Sequence, residues 1–274
     1  MHLADSGVLL VFLVVVALAF DFLNGLHDAA NSIATIVSTR VLPAQYAVLW
    51  AACFNFVAFL VFGLNVAQTV GKGILQPAIV SDAVIFGAVG GAIAWNVITW
   101  MAGIPSSSSH ALNGGLLGAG VAKAGLDPIV WAGVLKTVGG IVLSPLLGFV
   151  LALALVLLVA WLFHRSTPVL ADLAFRRLQF VSASLMSLGH GGNDAQKTMG
   201  IITVLLYAHG KLSGAFHVPL WVVLACQAAM GLGTLAGGWR VIGTLGEKVT
   251  KLDRSMGTAA EVGAGAAIMV STWL

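Results

Sequence analysis

The sequence predicts an all-α polytopic membrane protein built from inverted-topology repeats with broken or re-entrant helices, and three observations lead there. Of its 274 residues 59% are hydrophobic and only 8% charged, with a mean hydropathy of +1.01, a balance that leaves no soluble domain over. Runs such as LLGFVLALALVLLVAWLF (146–163) hold about the ~20 apolar residues a helix needs to cross the hydrocarbon core. Two polar motifs, LNGLHDAANSIATI (23–36) and LGHGGNDAQKTMGI (188–201), recur in the two halves with Asp28 over Asp194.

In chain order, the apolar blocks fall at about 7–40, 43–66, 82–101, 104–123, 127–163, 178–208, 217–239 and 257–274. All are expected to be helical, because lipid offers no other way to satisfy a backbone without β-barrel alternation. The opening MHLADSG lacks the basic stretch of a cleaved signal peptide, so the first block is expected to stay as a membrane helix. Two blocks read as broken helices: 7–40, which passes through NGLHD, and 127–163, which passes through Gly139, Gly140, Ser144 and Pro145. Cys53 and Cys226 lie in apolar stretches and read as small buried hydrophobes, neither a disulfide framework nor a metal site.

The repeat extends beyond the two motifs. Cys53 matches Cys226, Gly90 matches Gly263, and Thr99-Trp100 matches Thr272-Trp273, all 173 positions apart, against 166 for Asp28 and Asp194. The longer loop YAHGKLSGAFH (207–217) accounts for the difference of seven. The division this predicts is a first transmembrane repeat at 1–165 and a second at 166–274. Loops 164–177 (Arg165, Arg176, Arg177) and 240–254 (Arg240, Lys248, Lys251, Arg254) are basic and read as cytoplasmic. The first-half counterpart of the latter, 66–81, carries only Lys72 and reads as external. Equivalent loops on opposite faces mark inverted repeats, which place a site near the midplane. By the same register the partner of Pro105 belongs at position 278, so the chain is expected to be truncated before its second anion loop.

An ionised side chain at the bilayer centre costs at least ~2.5–3.5 kcal/mol, so Asp21, Asp28, Asp194 and Glu261 need partners or a function. For Asp21, an interfacial position with a snorkelling side chain is as good a reading. Asp28 stands among Asn24, His27 and Asn31, and Asp194 among His190, Gly191, Gly192 and Asn193. Paired across a pseudo-symmetry axis, the two clusters would form a cation site of carboxylate and carbonyl oxygens. A second constellation, GIPSSSSHALNGG (103–115), starts a helix at Pro105 and sets four hydroxyls beside its unpaired first-turn N–H groups. That arrangement attracts anions without a fixed cation to trap them. A flexible serine linker, or a serine nucleophile with His110 as base, are the competing readings of the same run.

NGLHDAANSIAT, GIPSSSSH and GHGGNDAQKTMG together resemble the signature motifs of the inorganic phosphate transporter (PiT) family, through nearly the whole chain. His27, the following STR and the later AACFNF are most similar to its bacterial low-affinity Pit branch. The resemblance implies a secondary active transporter that imports inorganic phosphate with a cation across the bacterial cytoplasmic membrane. It implies H+ in preference to Na+ as coupling ion, and a metal–phosphate complex, such as one with Mg2+, as a form of the substrate. Carried over by motif, Asp28, Asn24, Asp194 and Asn193 would shape the cation and phosphate site, and Ser107, Ser108 and Ser109 the anion pocket. His27 and His190 are candidate proton carriers, with unperturbed values near ~6.5, and equally good candidates for neutral hydrogen-bonding residues. Lys197 could attract the anion or snorkel. The expected partners are phosphate, the coupling cation and the lipid bilayer, with a homodimer compatible; no resident metal, cofactor or nucleic acid is expected. A sulfate or other oxyanion permease of the same fold, a passive channel, and an intramembrane enzyme using Asp28, His190 and Asp194 are the alternative functions.

Overall fold

The computed structural model describes residues 3–61, 74–244 and 252–273. Among these, helix dominates: α1 Leu3–Ser38, α2 Ala44–Val57, α3 Asp82–Ala102, α4 Ser108–Ala124, α5 Trp131–Phe163, α6 Pro168–Ala208, α7 Leu220–Ala236, the short α8 Trp239–Gly243, and α9 Arg254–Trp273. The helices start and stop where local chemistry dictates. Pro43, Ser81, Ser107, Thr167 and Pro219 stand at N-cap positions in extended or related conformations. Gly103, Gly125 and Gly237 end α3, α4 and α7 at φ of 65°, 71° and 72°, a region where only glycine enters freely.

Cross-links at the helix ends set their directions. Thr39, just past the end of α1, donates to Gln179 Oε1 near the start of α6 at 2.9 Å. Asp172 near the start of α6 pairs with Arg254 at the start of α9. At the opposite end, His209 after α6 reaches Asp82 at the start of α3 at 3.1 Å. Helices α1 and α6, which carry the two repeated motifs, therefore run antiparallel, as inverted repeats require. Helices α3 and α4 form a re-entrant hairpin: Lys123 near the end of α4 donates to Ser81 Oγ at 2.7 Å and Ile79 O at 3.1 Å beside the start of α3. The hairpin's tip, Gly103–Ser107, lies against the middle of α1.

The packing of α1 and α6 is reciprocal. Gly25 lies where a Cβ would strike the Met230 carbonyl of α7, and Gly191, its counterpart 166 positions on, where a Cβ would come 2.6 Å from Asn55 Cα of α2. Each motif helix is thus pressed, backbone to backbone, against the second helix of the other half, the close approach that small residues permit inside a membrane. A core of Leu13, Phe20, Val89, Leu112, Met199, Ile202 and Met230 fills one end of the bundle, and a second of Ile33, Ile36, Val48, Ala183 and Val241 the other. Gly7–Ser38, Asp82–Ala102 and Trp131–Phe163 are long and apolar enough to cross a bilayer, and α5, which packs one side against α9 near Ala152, has no fully buried residue.

The breaks expected within 7–40 and 127–163 are absent: α1 and α5 run unbroken through NGLHD and through Pro145. In α1 the polar side chains bond to neighbouring helices, so the backbone ladder need not open to meet them. In α5 the helix continues through Pro145, which removes one ladder bond without ending it. The break comes between α3 and α4. Lys72, Lys248 and Lys251 lie outside the described residues, as does the side chain of Arg240.

Gly25→Ala is expected to overpack the α1–α7 contact at about 1–3 kcal/mol, lowering the unfolding temperature in detergent. Gly139→Ala, with nothing within 4 Å of a new Cβ, serves as control and should hold or raise it. Equal midpoints for the two variants would mean that the close approach is not sustaining the bundle.

Candidate functional site

Between α1, the hairpin tip and α6 lies a pocket of about 400 Å3, walled by His27, Asp28 and Asn31 from α1, Pro105, Ser106, Ser107 and Ser109 from the tip, His190 and Asp194 from α6, and Val241 of α8. The tip is held from several sides. Thr244 donates to the Gly103 carbonyl at 3.0 Å and Trp95 Nε1 to Ser106 Oγ at 3.0 Å. Ser107 caps α4, accepting from the His110 N–H at 3.3 Å. The first ladder bond of α4 runs from Ala111 N–H to Ser107 O, so the N–H groups of Ser108 and Ser109 precede the ladder, at the positive end of the helix dipole.

Ser108 departs from expectation. It was expected to line the anion pocket beside Ser107 and Ser109, but it is buried, with its hydroxyl 2.6 Å from Asn24 Oδ1 and 2.8 Å from Asp28 Oδ2. Successive residues in the first turn of a helix point about 100° apart, so when Ser107 and Ser109 face the pocket, Ser108 turns toward α1. Asn24 consequently sits beneath the tip, outside the pocket wall. Asn193, expected among the phosphate ligands, is half-buried and does not line the pocket either; it lies one residue before Asp194, turned about 100° from it on α6.

Asp28 also accepts from Asn31 Nδ2 at 3.3 Å. His27 Nδ1 stands 3.5 Å from Asp28 Oδ1, while its Nε2 is 3.1 Å from Thr99 Oγ1 of α3. On the far wall His190 bridges the two carboxylates, with Nδ1 3.5 Å from Asp194 Oδ2 and Nε2 3.8 Å from Asp28 Oδ2. That Nε2 is buried and makes no hydrogen bond. Lys197 neither snorkels nor stands free: its Nζ pairs with Asp194 and donates to Ser109 Oγ. One ligand atom from each of Asp28, His190 and Asp194 falls within 4.8 Å of the others, spacing that suits a shared proton or cation. The carboxylate–imidazole trio and the serines of the tip therefore share one cavity. The sequence reading missed Thr99 as a partner of His27 and the engagement of Lys197 with Asp194 and Ser109; Thr99 was noted only as a repeat match and Lys197 only beside the second motif, and spacing alone does not show which neighbour a side chain meets.

A further buried acid, Glu261, accepts from Thr35 and Ser182 and from Gln179 at 3.5 Å, a structural solution to its burial. His110 is exposed and outside the pocket, so the serine–histidine dyad is not assembled.

The sequence profile of the phosphate transporter family (PHO4) matches residues 24–274. The chain belongs to that family. It is 66% identical to the probable low-affinity inorganic phosphate transporter of Rhizobium meliloti (strain 1021), over 97% of this chain and 80% of that protein. Against the protein of the same description from Bacillus subtilis (strain 168) it is 44% identical, with the same two coverages. Its fold matches a solved structure titled "The sodium-dependent phosphate transporter" with a TM-score of 0.87 at 22% identity, covering 97% of this chain and 84% of that one. These relatives are transporters, which sets aside the intramembrane enzyme. Within the family fold, the pocket occupies the meeting point of the two repeated motifs and the serine tip.

Ser108→Ala should strand the Asn24 and Asp28 acceptors inside the bundle and destabilise the protein by about 1–3 kcal/mol. Thermal unfolding in detergent measures this, and an unchanged midpoint would mean that the hydroxyl does not hold the tip.

Proposed function

We propose that this phosphate transporter is a secondary active symporter of the bacterial cytoplasmic membrane, importing phosphate with a cation, H+ in preference to Na+, and accepting the anion free or as a metal complex. The observation that carries the reading is the single pocket in which the N-terminal serines of α4 face the Asp28–His190–Asp194 trio. Residues 1–165 and 166–274 are taken as its two inverted repeats, a division supported by the antiparallel motif helices and the reciprocal glycine contacts.

The chemistry follows from charge. Phosphate carries one to two negative charges near neutral pH, and moving one elementary charge against 100 mV costs about 2.3 kcal/mol. Positive charge bound beside the anion offsets that penalty. Protonating His190 makes both of its nitrogens donors, one toward each carboxylate, and frees Lys197 to turn from Asp194 toward an oxyanion held by Ser107 and Ser109. Proton and anion then favour one another's binding, as coupling requires. The carboxylates also bear on selectivity. They accept a hydrogen bond from the P–OH of a phosphate that retains a proton, whereas sulfate at neutral pH has no hydrogen to give.

Proteoliposome uptake of radiolabelled phosphate, with proton, sodium and magnesium gradients imposed separately, tests the proposal. Asp28→Asn and Asp194→Asn should each abolish gradient-driven accumulation, and Ser107→Ala with Ser109→Ala should raise the half-saturating phosphate concentration roughly 10- to 100-fold, the loss of one or two anion hydrogen bonds. Accumulation driven by sodium alone would replace the proton as coupling ion. Undiminished uptake by both aspartate variants would remove the trio from the mechanism.

A further inference from the structure

Asp21 has no place in the pocket. It lies on α1 seven residues before Asp28, about 10 Å further along the helix, on the side away from Val241. It is wholly buried, among the apolar residues Leu13, Phe20, Met199, Cys226 and Met230 that close that end of the bundle. Thr198 and Cys226, a hydroxyl and a thiol, are the polar side chains that stand beside it. The ionisable groups that face it are few among the described residues: Asp28 on its own helix, Asp194 and Lys197 from α6, and Cys226 from α7. Lys197 is already paired with Asp194. From α3 and the end of α6, Asp82 and His209 pair with each other at 3.1 Å. Among the described residues no cation pairs with Asp21 directly, and a buried carboxylate in such a medium is far costlier than its neutral acid.

We propose that Asp21 is a proton-binding site separate from the pocket, filled while the α1–α6–α7 seal is closed and emptied when that seal opens to water. The proposal rests on the transporter reading in one respect, since it needs a state in which this end opens. Its physical content is a linkage. Once hydrated, the carboxyl is an ordinary aspartate that ionises near ~3.9, and closing the seal over it must first restore the proton. The ligand is the proton alone, because one carboxyl and one hydroxyl are too few oxygens for a metal ion.

Infrared spectroscopy of the detergent-purified protein, grown with and without carboxyl-13C aspartate, reads the site directly. A protonated-carboxyl stretch that shifts with the label at neutral pH and disappears in Asp21→Asn is the expected result. Its absence from the wild-type protein overturns the proposal, whether or not the variant folds. The functional counterpart is phosphate exchange in proteoliposomes at equal pH on both sides. Wild-type exchange should slow as pH rises from 6 to 8, by up to about tenfold per unit where closure limits the rate, and Asp21→Asn should flatten that dependence. A variant that keeps the wild-type slope also overturns it. Failure of both proteins to exchange phosphate would sink the transporter reading instead, while the infrared band would still report on Asp21.

Discussion

A carboxylate inside a membrane must be met by donors, and the fold is arranged around that demand at Asp28. The Ser108 hydroxyl, the Asn31 amide and the rings of His27 and His190 converge on it from α1, α4 and α6. Ser108 and His190 join Asp28 to the hairpin and to α6, while Asn31 and His27 hold it from its own helix. The hairpin has to enter as deeply as it does because Ser108 must reach α1, and α3 has to be long enough to carry it there. The glycines exist for the same reason: only with Gly25 and Gly191 can α7 and α2 come close enough to bring the motif helices together over the pocket. Buried polarity costs stability wherever a partner is missing. The site is consequently the most constrained part of the molecule as well as its most polar.

The balance of charge in the pocket bears on binding as well. Two carboxylates face one lysine, which is committed to Asp194 and Ser109, and two imidazoles lie within 4 Å of carboxylate oxygens. Under the proposed symport, a proton or other cation bound there would offset the repulsion that an entering anion meets. The helix terminus and the serine hydroxyls offer directional but uncharged binding, which suits a ligand that has to leave again.

Much of this was legible in the sequence because membranes make sequence patterns severe. Apolar length placed the helices, the doubled motif located Asp28 and Asp194, and the serines at 106–109 announced a helix start. What did not show was which way each side chain turns. Ser107, Ser108 and Ser109 are the same residue in succession, and only the helical rotation, fixed once Ser107 becomes the cap, sends the middle one to α1 and the outer two to the pocket. The continuity of α1 was hidden for a related reason. NGLHD contains the residues that would suit an unwound segment, and the neighbours that satisfy them instead, Thr99 and Ser108, are about 70 to 85 positions away. Lys197 was ambiguous until the fold put Ser109 beside it.

The crossed packing of the motif helices has a consequence for how the chain is made. Gly25 rests on Met230, so the face of α1 carrying Gly25 lacks its neighbour until 205 further residues have been synthesised. At about 5–20 residues per second that delay is roughly 10–40 s. Through that interval a helix with a carboxylate at its centre has to be sheltered by the insertion machinery or by its early companions α2 and α3, of which α3 brings Thr99 to His27. The later half then replaces a temporary shelter with a permanent one. The helix that carries Asp28 is thus made well before the partner that completes its packing.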